Sequence, residues 1–381
     1  MTHILKIVAI LYAFLYIGSL IPFNLGSLNM FSKGVQDYQA TDILYSRFKS
    51  TSNFDERIIL INSTVPDREK IVSAFKKLEA LGAKVIGVDI LFEDKKDAIV
   101  DSLLIDAIQS NKAIVLADVL DLTSQKTQPH LCNEVFCPSD QIGFINFVAK
   151  PNHAIRYFSA NEKHLNQNVD AFASAIVKRY DSKSYTYLTN RTGDVEQINF
   201  RGDQNSYAQI SIDDLLTKNN FKDLFKDKIV LLGYLGSDDW AMSARDKFYT
   251  PMNKDIGQKS LPDMYGMVVH ANIISMILDK DYIDEINPWI SRIINFLLIV
   301  ALVALMRKFF LQVNPGYFKL MRFVQLGIFF LLFTLLIVLF HFFSLKLNLT
   351  SALVGVVLSW DIVKIYQHII LNKQKPLRTK V

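Results

Sequence analysis

The stretch from Phe323 to Leu345 runs for 23 residues without a single Asp, Glu, Lys or Arg. A bilayer core about 30 Å thick needs roughly 20 apolar residues as helix, so this run predicts a membrane span and constrains the rest of the chain. Two further apolar runs flank it. Trp289–Met306 is interrupted only by Arg292, and Leu347–Ile370 only by Asp361 and Lys364 near its far end. Those two charges lie about one helical turn apart, a spacing that suits an ion pair or snorkelling to the interface. At the other end of the chain, Ile4–Phe23 is a fourth run with Lys6 as its single charge. Its length, and the lack of an A-x-A pattern after it, fit an uncleaved signal anchor; a cleaved signal peptide is the alternative.

The charges sort with these runs. Of 42 Lys+Arg and 37 Asp+Glu, residues 24–287 hold 30 and 36, whereas the two flanks hold 12 basic residues and one acid, Asp361. The middle is therefore −6 and the flanks +11, a division that excludes a purely soluble protein. The overall +5 is too modest to argue for a nucleic-acid partner, and none is expected. Arg307, Lys308, Lys319 and Arg322 crowd the connection before the 323–345 run, and Lys373, Lys375, Arg378 and Lys380 fill the 371–381 tail. The loop between the last two runs carries Lys346 alone. Because cytoplasmic loops collect Lys and Arg, this pattern predicts both termini inside and residues 24–287 outside. The expected segments are 4–23, 288–306, 323–345 and 347–370 across the bilayer, with a basic cytoplasmic tail over 371–381.

The outer segment is long enough for its own core and alternates strand and helix. Arg57–Asn62, Val85–Phe92, Ala113–Leu120 and Lys228–Gly233 are short apolar runs rich in β-branched residues, which predict buried strands. Between them, Ile71, Phe75, Leu78 and Leu81 recur at helical spacing after Pro66-Asp67, and Gly82 stands where that helix ends. Ala98–Ser110 predicts a second helix, Val169–Tyr180 a third, Ile212–Leu216 a short one capped by Ser211, and Met267–Asp279 the last. The β-α-β-α-β order predicts an α/β fold with a mainly parallel sheet and helices on both faces. Gly143–Val148 and Ile155–Ala160 read as an antiparallel excursion about Pro151-Asn152, and Gln197–Phe200 as a further strand.

No Walker loop, G-x-G-x-x-G, H-E-x-x-H or C-x-x-C occurs, so neither a nucleotide nor a zinc site is readable. Gly233 and Gly236 follow a strand as in a tight turn. No Ser-His-Asp or Cys-His spacing supports nucleophilic catalysis, and no catalytic residue, metal ligand or cofactor is assigned. Cys132 and Cys137 share a loop on the oxidising side, where disulfides persist; a small ring is the reading and two free thiols the alternative. Asp89 ends a buried strand at the edge where open α/β sheets bind ligands, and a carboxylate there needs a partner. A capped or Arg-paired structural role is the alternative to ligand binding. Asp246, within DKFYTP, follows the last strand. His270 and Asn272 open the final helix, where backbone N–H groups are free, and Arg201 follows Gln197–Phe200. Asp89, Arg201, Asp246, His270 and Asn272 are thus the candidate ligand-binding set, expected to gather at one sheet edge.

The ordered series DERIILIN, LEALGAKVIGVDILF, AIVLAD, GFINF, IRYF, INFRG, DKIVLLG, DKFYTP and GMVVHANIISMIL resembles the type-two CHASE domain. This is an extracytoplasmic sensory module of bacterial cyclases and histidine kinases. The resemblance runs from about Asp55 to Leu278, and one N-terminal plus three C-terminal spans fit it. It implies a bacterial inner-membrane sensor or receptor subunit, not an enzyme, that binds an unidentified small ligand or envelope protein. Members usually continue into a cytoplasmic output module; with about ten residues after the last apolar run, a separate signalling partner is expected here. A scaffolding subunit of an envelope complex is the alternative.

Overall fold

The computed structural model describes residues 2–20, 54–64, 67–120, 135–148, 154–164, 167–191, 193, 195–221, 223–236, 246–253 and 261–371. The chain divides into two compact units. One joins Met1–Gly26 to Ile283–Val381 and begins with helix α1 (Thr2–Leu20); the other is Ser27–Tyr282.

The apolar runs of the second unit form the strands expected of them: β1 (Ile58–Asn62), β2 (Val85–Asp89) and β3 (Ile114–Asp118), joined by β4 (Ile142–Phe144). Two short antiparallel pairs follow, β5 (Tyr157–Phe158) with β8 (Glu196–Gln197) and β6 (Asn161–His164) with β7 (Gln167–Asp170). Strands β9 (Ala208–Ser211) and β10 (Ile229–Gly233) complete a six-stranded parallel sheet in the order β4-β3-β2-β10-β1-β9. A last antiparallel pair joins β11 (Lys247–Phe248) to β12 (Met264–Tyr265). The helices are α2 (Arg68–Ala80), α3 (Ala98–Ser110), α4 (Phe172–Tyr180), α5 (Ser182–Thr189), α6 (Ile212–Thr217) and α7 (Gly266–Asp279).

Side chains alternate across a strand, so each run serves two layers. Ile59, Ile61, Ile86, Val88, Ile114, Leu116, Val230 and Leu232 pack with Ile71, Phe75, Leu104 and Ile108 of α2 and α3. The opposite face meets α4, which touches β2, β3 and β4, and α7, which touches β10. Each fully buried Val, Leu or Ile contributes roughly 1.5–3 kcal/mol, which makes this two-sided core the main source of stability. Local signals agree with it. Asp67 caps α2 by accepting from Glu69 N–H, Asp97 caps α3, Ser211 caps α6, and Gly82 takes a left-handed φ of +78°.

Three readings need correction. Gly143–Val148 and Ile155–Ala160 do not form an antiparallel pair; Val148 and Tyr157 share one bridge, while Ile142–Phe144 joins the parallel sheet beside β3. A Cβ on Gly143 would stand 2.5 Å from Phe172 Cα, so the glycine lets this edge strand press against the start of α4. The stretch Gln197–Phe200 gives only Gln197 to a strand, in the β5–β8 pair. Val169 belongs to β7 and α4 starts at Phe172, because the polar hairpin β6–β7 takes the residues before it.

In the first unit, α8 (Pro288–Gln312), α9 (Met321–Phe343) and α10 (Thr350–Ile365) follow α1. Ile7, Val8 and Leu11 of α1 pack with Ile299, Val303, Met306, Trp360 and Val363. Asn295 of α8 donates to the Ser291 and Asn348 carbonyls and accepts from Ala352 N–H (2.7, 2.7 and 2.8 Å). At one end β13 (Asp284–Glu285) pairs with β14 (Leu345–Lys346), with Lys346 bound to Glu285 at 2.6 Å. At the other end His3 Nδ1 lies 2.8 Å from Tyr366 Oη. There Asp361 accepts two hydrogen bonds from Arg322 (2.6 and 2.8 Å) instead of pairing with Lys364. The start of α9 meets the end of α10, and a guanidinium fork fits a carboxylate better than an ammonium one turn away; Lys364 lies over the Trp360 ring. Among the described residues, Pro288–Gln312 and Tyr317–Phe343 are long and apolar enough to cross a membrane.

Candidate functional site

Parallel strands give the sheet two unlike edges, and α7 spans the distance between them. Its 14 residues rise about 1.5 Å each, or roughly 20 Å. The strand-end residues Asn62, Asp89 and Gly233 stand in register at the carboxyl edge. A Cβ on Gly266, the first residue of α7, would lie 3.9 Å from Asp89 Oδ2 and 3.2 Å from the Phe248 ring. The helix thus starts over the carboxyl edge.

At this edge Asn62 clamps the turn after β10, donating to Gly236 O and accepting from Leu235 N–H, both at 2.9 Å. Asp89 has no such support: no hydrogen-bond donor among the described residues reaches its carboxyl group. Burial, and then the negative charge of Asp246, push its pKa up to about 6. Asp246 itself is exposed. His270 lies one helical turn beyond Gly266. Its ring stacks on Phe147 at 4.8 Å and meets the edge of Phe172 at 5.1 Å. Phe147 in turn meets Phe248 at 5.2 Å. Burial lowers the His270 pKa to about 3, and its Nδ1 has no hydrogen-bond partner among the described residues. Thr250 of DKFYTP serves the loop rather than this cluster: its N–H and hydroxyl both donate to Asp263 (2.8 and 2.5 Å).

Arg201 is elsewhere. Its guanidinium bonds Asp279, the last residue of α7, and lies 3.9 Å from Asp55. Asp55 and Arg57 precede β1 and so mark the amino edge. Arg57 holds Asp55 through two bonds of 2.8 and 2.7 Å and reaches Asp279 at 2.7 Å. Ser275 donates to Asp55 at 2.7 Å. Burial alone would raise Asp55, yet the bonds from Arg57 and Ser275 and the Arg57 charge hold it below the usual carboxylate range. The structure therefore separates Arg201 from Asp89, Asp246 and His270, because the loop after β8 folds back along α7 to its far end.

Asn272 makes that fold-back possible. Its Oδ1 accepts from Arg201 N–H (2.7 Å) and Gly202 N–H (3.1 Å), while Nδ2 donates to Gly202 O and Val268 O (3.0 and 2.9 Å). With its capacity used and no exposure at all, it is a clamp. Sequence reading missed Asn62, Phe147, Phe248 and the Asp55–Arg57–Asp279 cluster. Asn62 ends its strand as Asp89 does, which is a usable signal; the cluster joins residues 55, 201 and 279, and no spacing announces it. Cys137 is buried and disulfide-bonded, while Cys132 lies outside the described residues.

No curated protein and no solved structure matches the chain. The family model of the CHASE2 domain matches residues 53–306, which takes in both sheet edges, all of α7 and most of α8. The chain belongs to the CHASE2 domain family, whose domain is an extracytoplasmic sensory module and not a catalytic one.

Proposed function

We propose that the chain is a non-enzymatic sensor subunit of a bacterial inner membrane. In this reading α1, α8, α9 and α10 all span the bilayer with both termini inside, and the CHASE2 unit lies outside. It binds a ligand or envelope protein at the carboxyl edge and passes the signal to a separate partner, while Cys132 and Cys137 close a small ring in the outer loop. The observation that carries this reading is Asp89, which no donor among the described residues reaches and which the charge of Asp246 opposes, at the start of α7. Only eight residues separate the end of α7 from the apolar α8, so a contact at that helix has a short covalent route to the membrane segment. The topology draws support from the ends of the first unit. Arg307 and Lys308 near the end of α8, Lys319 in the connection and Arg322 at the start of α9 gather at the same end as His3 and Tyr366, in keeping with the positive-inside rule.

Reporter insertions test this. A reporter active only in the cytoplasm is expected to work within residues 313–319 and to be silent near Ser124; the reverse pattern overturns the topology. A scaffolding role has one observation of its own: Ile99 and Leu103, one turn apart on α3, are 74% and 46% exposed, a surface suited to protein contact. Copurification from membranes in mild detergent separates the two. A scaffold is expected to lose its partners when Ile99 and Leu103 become Ser, a sensor to keep them.

A further inference from the structure

The carboxyl edge holds a carboxylate, Asp89, that no donor among the described residues reaches, and Asp246 adds a second carboxylate close enough to repel it. The N-cap of α7, Tyr265, makes no side-chain cap bond, so the first turn offers about half a positive charge. The Lys247 ammonium, next to Asp246 in sequence, rests against the Tyr265 ring, and with the half charge of the helix it offsets most but not all of the charge of the two carboxylates. Beside this edge, on the face of α7 that carries Gly266, His270 is 4% exposed and its Nδ1 has no hydrogen-bond partner among the described residues. Leaving such a buried group unmatched is unfavourable, and a bound hydrogen-bonding group would satisfy it. Phe248 is partly exposed and borders Gly266, and Phe147 bridges its ring to that of His270. In the same hairpin, the Lys247 ammonium rests 4.8 Å from the Tyr265 ring centroid, so an alkylammonium already sits against an aromatic face here.

We propose that this edge binds a small organic ammonium ion, held by Asp89 and Asp246 against the Phe147 and Phe248 rings, with His270 as a hydrogen-bond partner. The proposal rests on the reading of this edge as the sensor's ligand site and adds the class of ligand. A metal ion fits less well, since no group of three or more His, Cys, Asp or Glu among the described residues is arranged to hold one. An anion would face two carboxylates. An ammonium ion answers both features at once, turning its charge to the carboxylates and its C–H surface to the rings.

The test uses the full chain in nanodiscs at pH 7.5 and low salt, titrated calorimetrically with putrescine, choline and ethanolamine, and with glucose and glutamate as neutral and anionic probes. At least one of the three amines is expected to bind saturably. Its affinity should fall at least tenfold in Asp246→Asn, a change at an exposed position that leaves the core untouched, and in Asp89→Asn. The distant exposed variant Asp213→Asn should bind as the parent does. Absence of amine binding, or binding equal in Asp246→Asn, overturns the proposal. If glucose or glutamate then binds and Asp246→Asn abolishes it, the ligand-site reading stands and only the ammonium class is wrong. If no probe responds to Asp246→Asn, the reading of this edge falls as well.

Discussion

The two edges of the CHASE2 sheet meet opposite ends of the same helix and are finished in opposite ways. At the amino edge four charges are matched: Arg57 and Arg201 face Asp55 and Asp279, and Ser275 fills a further acceptor position. At the carboxyl edge the charge of Asp246 bears on Asp89, and no donor among the described residues reaches the Asp89 carboxyl group. Burial penalises ionisation at both places; only at the amino edge do donors reverse it, so that Asp55 falls while Asp89 rises. A charge cluster whose demands are met holds a fold in one arrangement. One whose demands are unmet stores free energy that a ligand can release. The same helix is thus fastened at one end and left to respond at the other.

The largest effect should come from the clamp. Asn272→Ala strips partners from the Arg201 and Gly202 N–H groups and the Gly202 carbonyl, and is expected to cost about 3–5 kcal/mol, read by urea denaturation of the full chain. A loss under 1 kcal/mol would show that the fold-back does not depend on Asn272. Arg57→Ala should cost about 3 kcal/mol, because it strands a buried carboxylate at Asp55. If it costs no more than a surface substitution, the contrast between the edges disappears.

Asp89 behaves in the opposite sense. Its folded pKa, about 6, lies above the unfolded value, so the native state binds the extra proton and stability falls as pH rises through that interval. The Asp89→Asn variant is free of this loss. Its stability relative to the parent is therefore expected to improve by about 2–3 kcal/mol between pH 4 and pH 7, and a constant difference would show that Asp89 is not desolvated. His270 acts in reverse: its lowered pKa means stability is present above about pH 6.5 and lost on acidification toward pH 3, which makes the variant-minus-parent difference the clean readout. Asp246→Asn should change stability least, by about 0.5 kcal/mol or less, while bringing the Asp89 titration down in pH.

Legibility followed the length and periodicity of each segment. The runs at β1, β2, β3 and β10 are four to five apolar residues closed by a polar or glycine end, and each became a strand of the parallel sheet. Caps at Asp67 and Ser211 announced their helices. By contrast, β9 alternates half-buried and exposed residues at the sheet edge, and the β6–β7 hairpin, NEKH with QNVD, consists of residues with little strand preference; both exist because neighbouring backbone completes their hydrogen bonds. Of the site, Asp89 and Asp246 were found because strand ends and the segments after them are readable from sequence. Arg201 was misplaced because its neighbours depend on where a loop turns back, and Arg322 and Asp361 meet across 39 residues. Asn272 is a ligand candidate by sequence, yet as a polar residue in the apolar series GMVVHANIISMIL it had to find its partners inside.

Leu349, the residue that should cap α10, has no polar side chain to do it, and the N–H of Ala352 is met instead by Asn295 of α8. A helix whose start is held by its neighbour has a fixed register. Sliding α10 by one turn, about 5.4 Å, would break the bonds that Asn295 makes to Ala352 N–H and to the Asn348 carbonyl. Mechanically, α8 and α10 are then a single rod: a piston stroke or rotation delivered to α8 carries α10 with it, and whatever reads the far end of one reads the other.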